Sequence, residues 1–168
     1  MGKLRLVSSK NGKVVVREEN FGSDPSVVLY PGLSSCITIT VDSPQGLLGV
    51  HITVLTEDYI IDEMFTHLAA GVGEAYVVGQ IEEYKLKTQL KSFNTRKKMS
   101  SKLKRAIDGV HKVFFFDLGR LSHDADLLVN KNGLGLDFGW APIRKIGWEV
   151  ENDTGGFMAI NAKDFLSR

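Results

Sequence analysis

Cys36 is the single cysteine in 168 residues, and the residue types around it are those of thiol chemistry. It opens the run Cys36-Ile37-Thr38-Ile39-Thr40-Val41-Asp42, in which strand alternation points Ile37, Ile39 and Val41 one way and Cys36, Thr38 and Thr40 the other. After Ser43-Pro44-Gln45-Gly46, residues 47 to 55 put Leu48, Val50, Ile52 and Val54 on one face and Gly49, His51 and Thr53 on the other. If the two apolar faces coincide, Cys36 and His51 share the second face. A loop of Asp42 to Gln45 pairs Val41 with Gly46, Ile39 with Leu48 and Ile37 with Val50, setting Cys36 opposite His51. Opposed Cβ atoms lie roughly 4.5–5.5 Å apart, close enough for a sulfur–imidazole hydrogen bond. A slip of two residues keeps the face and makes the pair diagonal neighbours.

Such a pair does chemistry because the thiolate is the nucleophile, and a neighbouring cation draws a thiol down from about 8.5 towards neutrality. Cys36 would attack a carbonyl while His51 shuttles the proton. Each residue also has a plain structural reading, the cysteine as a small buried hydrophobe and the histidine as a hydrogen-bonded core residue. The approach Pro31-Gly32-Leu33-Ser34-Ser35 follows the strand-like Val27-Val28-Leu29-Tyr30 and leaves backbone N–H groups free of any ladder. Those of Ser35 or Cys36 are candidates for an oxyanion hole, though an ordinary turn needs the same residues.

Gly32-Leu33-Ser34-Ser35-Cys36, followed by a strand, a turn and a histidine on the next strand, resembles the active-site segment of the cysteine-dependent protein glutamine deamidases. These include the catalytic domains of cytotoxic necrotizing factors, Burkholderia lethal factor and the chemotaxis receptor deamidase. Leu33, Ser34 and Cys36 match the toxin motif Leu-Ser-Gly-Cys, with Ser35 in place of its glycine. Gly32, Leu33, Ser35 and Cys36 match the chemotaxis motif Gly-Leu-Gly-Ser-Cys, with Ser34 in place of its second glycine. Where some members carry a threonine that orients the histidine, this chain has Tyr30, a candidate third group alongside a backbone carbonyl. The resemblance spans about residues 27 to 55. It implies a deamidase-like α/β sandwich, Cys36 and His51 as catalytic residues, Ser34 and Ser35 in the oxyanion loop, and a protein substrate bearing the target glutamine.

The elements that must hold this pair suggest an α+β fold of two packed mixed β-sheets flanked by helices, formed by residues 1–168 as one domain. Strands are expected near 3–8, 13–18, 27–31, 36–42, 47–55, 74–81, 112–118, 125–130, 134–139, 145–150 and 156–160. Thr56 is expected to cap a helix whose stripe is Ile60, Ile61, Met64, Phe65, Leu68 and Ala69, and a second helix is expected near 95–109. Asn130-Lys131-Asn132-Gly133 reads as a hairpin turn. A chain of this length buries enough surface to need no disulfide. No signal-peptide pattern or apolar run of about 20 residues is present, so the expected location is the bacterial cytoplasm, with leaderless delivery to a host cytosol if the chain is an effector.

Residues 85 to 105 carry nine Lys or Arg and no acid, leaving 12 basic against 20 acidic side chains elsewhere, a net −8. This segment is either a solvated face or a surface that docks an acidic partner through residues such as Lys97, Lys98 and Lys102. Nothing in it resembles a base-stacking motif, so no nucleic-acid partner is expected. His123, Asp124 and Asp126 have metal-ligand types but no second ligand cluster, and no metal is expected. His67 and His111 are alternative partners for Cys36. Neither glycine pair, Gly71/Gly73 or Gly133/Gly135, completes a dinucleotide fingerprint, and no nucleotide cofactor is expected. The combined expectation is a toxin- or effector-type glutamine deamidase. A chemotaxis-type receptor deamidase and a noncatalytic interaction module are the alternatives.

Overall fold

The computed structural model describes residues 4–133, 135–143 and 156–168. In chain order its strands are β1 (Arg5–Val7), β2 (Val14–Val15), β3 (Asn20–Asp24), β4 (Val27–Leu33), β5 (Ile37–Ser43), β6 (Gly46–Ile52), β7 (Val72–Gly79), β8 (Gly109–Asp117), β9 (Ala125–Asn132), β10 (Gly135–Pro142), β11 (Met158–Ala159) and β12 (Leu166–Ser167). The helices are α1 (Asp58–His67), α2 (Ile81–Lys87) and α3 (Arg96–Ala106). Seven strands form one sheet in the order β1-β3-β6-β5-β7-β8-β12, and five form another in the order β11-β10-β9-β4-β2. Both are mixed, since β1/β3, β7/β8 and β2/β4 run parallel and the other pairs antiparallel. The expected α+β class with two packed mixed sheets is therefore present. The strand expected near 145–150 lies outside the described residues.

Three layers follow from where the apolar faces point. On one side of the large sheet, Ile37, Ile39, Val77 and Phe115 pack against Ile61, Phe65, Tyr84 and Leu103 of the helices. On the other, Val78 and Phe116 meet Tyr30, Leu127 and Val129 of the small sheet. Strands β5 and β6 are thus covered on both faces, which alternation alone reads as one apolar and one polar face. Thr38 and Thr40 tolerate this burial because their hydroxyls are satisfied, Thr38 Oγ1 donating to Val78 O at 2.7 Å and Thr40 Oγ1 bonding Tyr30 OH at 2.6 Å.

Three elements escaped the periodicity argument. Strand β3 has no β-branched run, and its Gly22 is required because an added Cβ would sit 2.6 Å from Val14 Cγ2 and 2.8 Å from Val7 Cγ2. Helix α2 is only seven residues long, yet it carries Glu82 and Glu83 at its start and Lys85 and Lys87 at its end, complementing its dipole. The two-residue β12 holds too little pattern to read. Thr56 does not cap α1. The N-cap is Glu57 without a side-chain bond, while Thr56 Oγ1 accepts from Thr53 N at 2.9 Å and donates to Glu19 Oε2 at 2.7 Å. A hairpin is present at the expected place, but Asn130, Lys131 and Asn132 belong to β9, which pairs with β10 out to Asn132 and Gly135, so the return starts at Gly133, at φ +61, and not at Asn130. Among the described residues no helix is long and apolar enough to cross a membrane.

Tyr30 stands between the sheets with its hydroxyl where a Cβ on Gly49 would have to go. Gly49→Ala is expected to destabilise the fold by about 3 kcal/mol, the upper range for overpacking a dense core. Chemical denaturation checks this, and in a Tyr30→Phe background the penalty should shrink, because the colliding oxygen is gone.

Candidate active site

The β5–β6 connection is tighter than the four-residue loop expected from sequence. Ser43 faces Gly46, leaving only Pro44-Gln45 outside the ladder, and Ser43 Oγ donates to Gly46 O at 2.7 Å and accepts from Gln45 N at 3.3 Å. Gly46, at φ +120, permits the tight return, since a Cβ there would lie 2.7 Å from Pro25 Cα. The register is therefore two residues from the expected one: Val41 pairs with Leu48, Ile39 with Val50, Ile37 with Ile52 and Thr38 with His51. Cys36 precedes the ladder and is not opposite His51. The parity survives the slip, so both residues remain on the face toward the small sheet as diagonal neighbours.

The loop that leads to Cys36 is clamped from three directions. Gly32, at φ +70, donates its N–H to Asp126 Oδ1 at 2.8 Å. Gln80 Nε2 donates to Leu33 O at 3.2 Å and to Ser122 O at 2.9 Å, while the Gln80 backbone N–H donates to Cys36 O at 2.9 Å. Gly79 lacks a side chain where a Cβ would collide with that same Cys36 carbonyl. Cys36 is 4% exposed. Burial pushes its thiol up to about 11, the Glu18 carboxylate adds to the rise, and the backbone N–H groups of Ser35 and Ser34, which face the sulfur, oppose it. The expected lowering of the thiol by an adjacent cation is thus reversed, because desolvation dominates and the nearest charge is negative.

His51 is fully buried, and the segment Val16 to Glu19 wraps around it. Its Nδ1 lies 3.0 Å from Val16 O, and since a carbonyl only accepts, Nδ1 carries the hydrogen and Nε2 the lone pair. Glu19 donates its backbone N–H to His51 O at 2.9 Å from a left-handed conformation with φ +56, a backbone strain of about 1 kcal/mol for a residue with a Cβ. Among the described residues Nε2 has no hydrogen-bond partner, the sulfur included. Burial holds the imidazole down to about 4, with the Val16 bond opposing that fall. At neutral pH the site therefore contains a thiol and a neutral imidazole.

Tyr30 is not the group that orients the histidine. Its ring meets His51 edge-on at 6.3 Å between centroids, and its hydroxyl is committed to Thr40. The orienting acceptor is the Val16 carbonyl, which no side-chain motif encodes. Ser34 and Ser35 form the bend between β4 and Cys36. His67 stacks on Phe21 at 4.4 Å on the helix side of the sheet, and His111 is exposed on β8. Asp126 bonds the Gly32 loop instead of joining His123 and Asp124, and among the described residues no three His, Cys, Asp or Glu side chains are grouped to hold a metal. Of the docking candidates, Lys97 is exposed, Lys98 Nζ donates to Lys91 O at 2.6 Å, and Lys102 pairs with Asp62 at 3.1 Å. No protein-family model matches the chain, and no curated protein matches it in sequence.

The resting state predicts slow alkylation. At pH 8, iodoacetamide should modify Cys36 at least about a hundredfold more slowly than a free thiol, because burial pushes the thiol up to about 11, with the rate climbing to a midpoint near 11. A plateau below pH 8 would mean that the thiolate is stabilised at rest.

Proposed function

We propose that the chain is a protein-glutamine deamidase of the toxin or effector kind, working through Cys36 and His51. The observation that carries this reading is a buried imidazole with Nδ1 fixed on Val16 O and its lone-pair Nε2 unpartnered among the described residues, on the same interior face as the only thiol. An unmade buried hydrogen bond costs about 1–3 kcal/mol and is the kind of expense a fold retains at a reactive centre. The clamped Gly32–Cys36 loop and the two serine N–H groups facing the sulfur support the same reading.

The cycle begins with a neutral pair. As the sulfur bonds to the carboxamide carbon, its proton passes to Nε2, and the carbonyl oxygen takes the negative charge within reach of the Ser34 and Ser35 N–H groups. Collapse breaks the carbon–nitrogen bond, and the Nε2 proton leaves with ammonia. Water then adds to the thioester, giving its proton to Nε2, and the sulfur departs as that proton returns to it, leaving glutamate. An amine in place of water would yield a transglutaminated product. Val16 keeps the imidazole in the required tautomer throughout.

The near-complete burial of both residues favours a second reading, a noncatalytic module in which they are core residues. One experiment separates the two. The protein is incubated with candidate proteomes and peptides are searched by mass spectrometry for Gln-to-Glu conversion, with Cys36→Ser as the control. Conversion that depends on Cys36 supports the enzyme; no conversion above control across bacterial and host proteomes supports the module.

A further inference from the structure

The +9 segment is divided by its own partners. Lys85 and Arg96 pair with Glu82 at 3.2 and 3.4 Å, Lys87 pairs with Glu83 at 3.1 Å, and Lys102 is held by Asp62. Among the described residues Lys97 and Lys104 make no ion pair. Both line a groove of about 510 Å³ between α3 and β12, together with Arg96, Ser100, Ser167 and Arg168. We propose that this groove docks an extended, acidic segment of the protein substrate, with carboxylates on alternate residues meeting Lys97, Lys104 and Arg168. The proposal rests on the deamidase reading for the word substrate, and not for the binding itself.

The geometry favours an extended chain over a compact anion. Lys97 and Lys104 are seven residues apart on α3, about 10 Å along its axis, so they do not converge on one phosphate. Side chains on one face of a strand recur every 6.6–6.8 Å, so one or two such steps span the cations. Among the described residues the outer edge of β12 is unpaired as well. Arg168 exchanges both backbone bonds with Val113, at 2.7 and 3.2 Å, so the N–H and C=O of Ser167 point away from β8. Strand β12 ends the seven-stranded order, and Leu166 is 60% exposed. An added strand would find both backbone partners there. The line Leu166–Phe115–Val77–Ile39 crosses the sheet, placing the groove three strand spacings, about 14 Å, from the strand that Cys36 precedes. A protein reaches both places; a free amide does not.

The test uses a fluorescein-labelled peptide of alternating glutamate and threonine, titrated by anisotropy against the full chain. Lys97→Glu/Lys104→Glu should weaken binding at least tenfold, while Lys91→Glu/Arg105→Glu, with the same change of net charge, should shift it less than threefold. Equal losses in both variants, or the absence of saturable binding, would overturn the proposal. So would inositol hexakisphosphate binding the groove more tightly than the peptide. Thermal melts verify folding, and if the reversal unfolds the chain, Lys97→Gln/Lys104→Gln must still show a loss that its Lys91/Arg105 counterpart lacks. Cys36→Ser should bind the peptide as the parent does. Binding without any glutamine conversion retains the docking site and removes the enzyme, whereas conversion without peptide binding does the reverse.

Discussion

Cys36→Ser is expected to lower ammonia release from the substrate protein by at least about a thousandfold, and His51→Ala by a similar factor, because sulfur and imidazole act as one unit. The double mutant should lose little beyond either single change. Serine is nearly isosteric with cysteine, so its melting curve should stay close to that of the parent, and loss of activity cannot then be assigned to unfolding. The neutral resting pair adds a further expectation: His51→Ala should reduce labelling of Cys36 by iodoacetamide, since Nε2 no longer takes the thiol proton. Wild-type ammonia release by Cys36→Ser would eliminate the thioester route. Unchanged labelling in His51→Ala would show that the imidazole never reaches the sulfur.

The largest effect on stability is expected in mild acid and comes from His51. Its folded pKa of about 4 lies below the ordinary value of 6.5, so between these limits the unfolded chain binds the proton and the folded chain does not. Stability therefore falls as the pH is lowered from about 6.5 to 4, by on the order of 3 kcal/mol in total. His51→Gln removes this slope. Asp24, where burial is outweighed by hydrogen bonds from Ser9, Ser26 and Val27, contributes its own loss in more acidic solution, and that loss should persist in both proteins. Urea titrations across pH 4 to 7 compare the two curves. Parallel curves would mean that His51 becomes protonated in the folded state with no penalty.

What alternation specifies is the face of a strand, and the face of both Cys36 and His51 was legible for that reason. The register was not, because it depends on how tightly Ser43 to Gly46 returns, and that is decided by Gly46 against Pro25 in the connection between β3 and β4, which crosses from one sheet to the other. The sign of the thiol shift was illegible as well. It depends on the small sheet burying the second face and on Glu18 approaching from a distant turn, neither of which local spacing encodes. Val16, the group that holds the imidazole, acts through its carbonyl, so its side-chain identity says nothing of the role. Asp126 and Gln80 carried a faint signal as polar residues that end up buried, Asp126 at 1% and Gln80 at 1% exposure. The basic segment is legible as charge but not as geometry, because its neutralising partners, Glu82 and Glu83 on α2 and Asp62 on α1, all lie outside α3.

The two hydrogens of the Gln80 side-chain amide have a dynamic consequence. One holds the Leu33 carbonyl in the loop that leads to Cys36, and the other holds the Ser122 carbonyl, beyond β8. Two loops tied to a single NH₂ group share one anchor, so their local opening is expected to be coupled, with a free energy of its own below that of global unfolding. Amide hydrogen exchange should register this as matched protection for the backbone on both sides of the clamp. The rate at which a small electrophile finds Cys36 would then be a clock for that opening, on the microsecond-to-second scale of loop and lid motions.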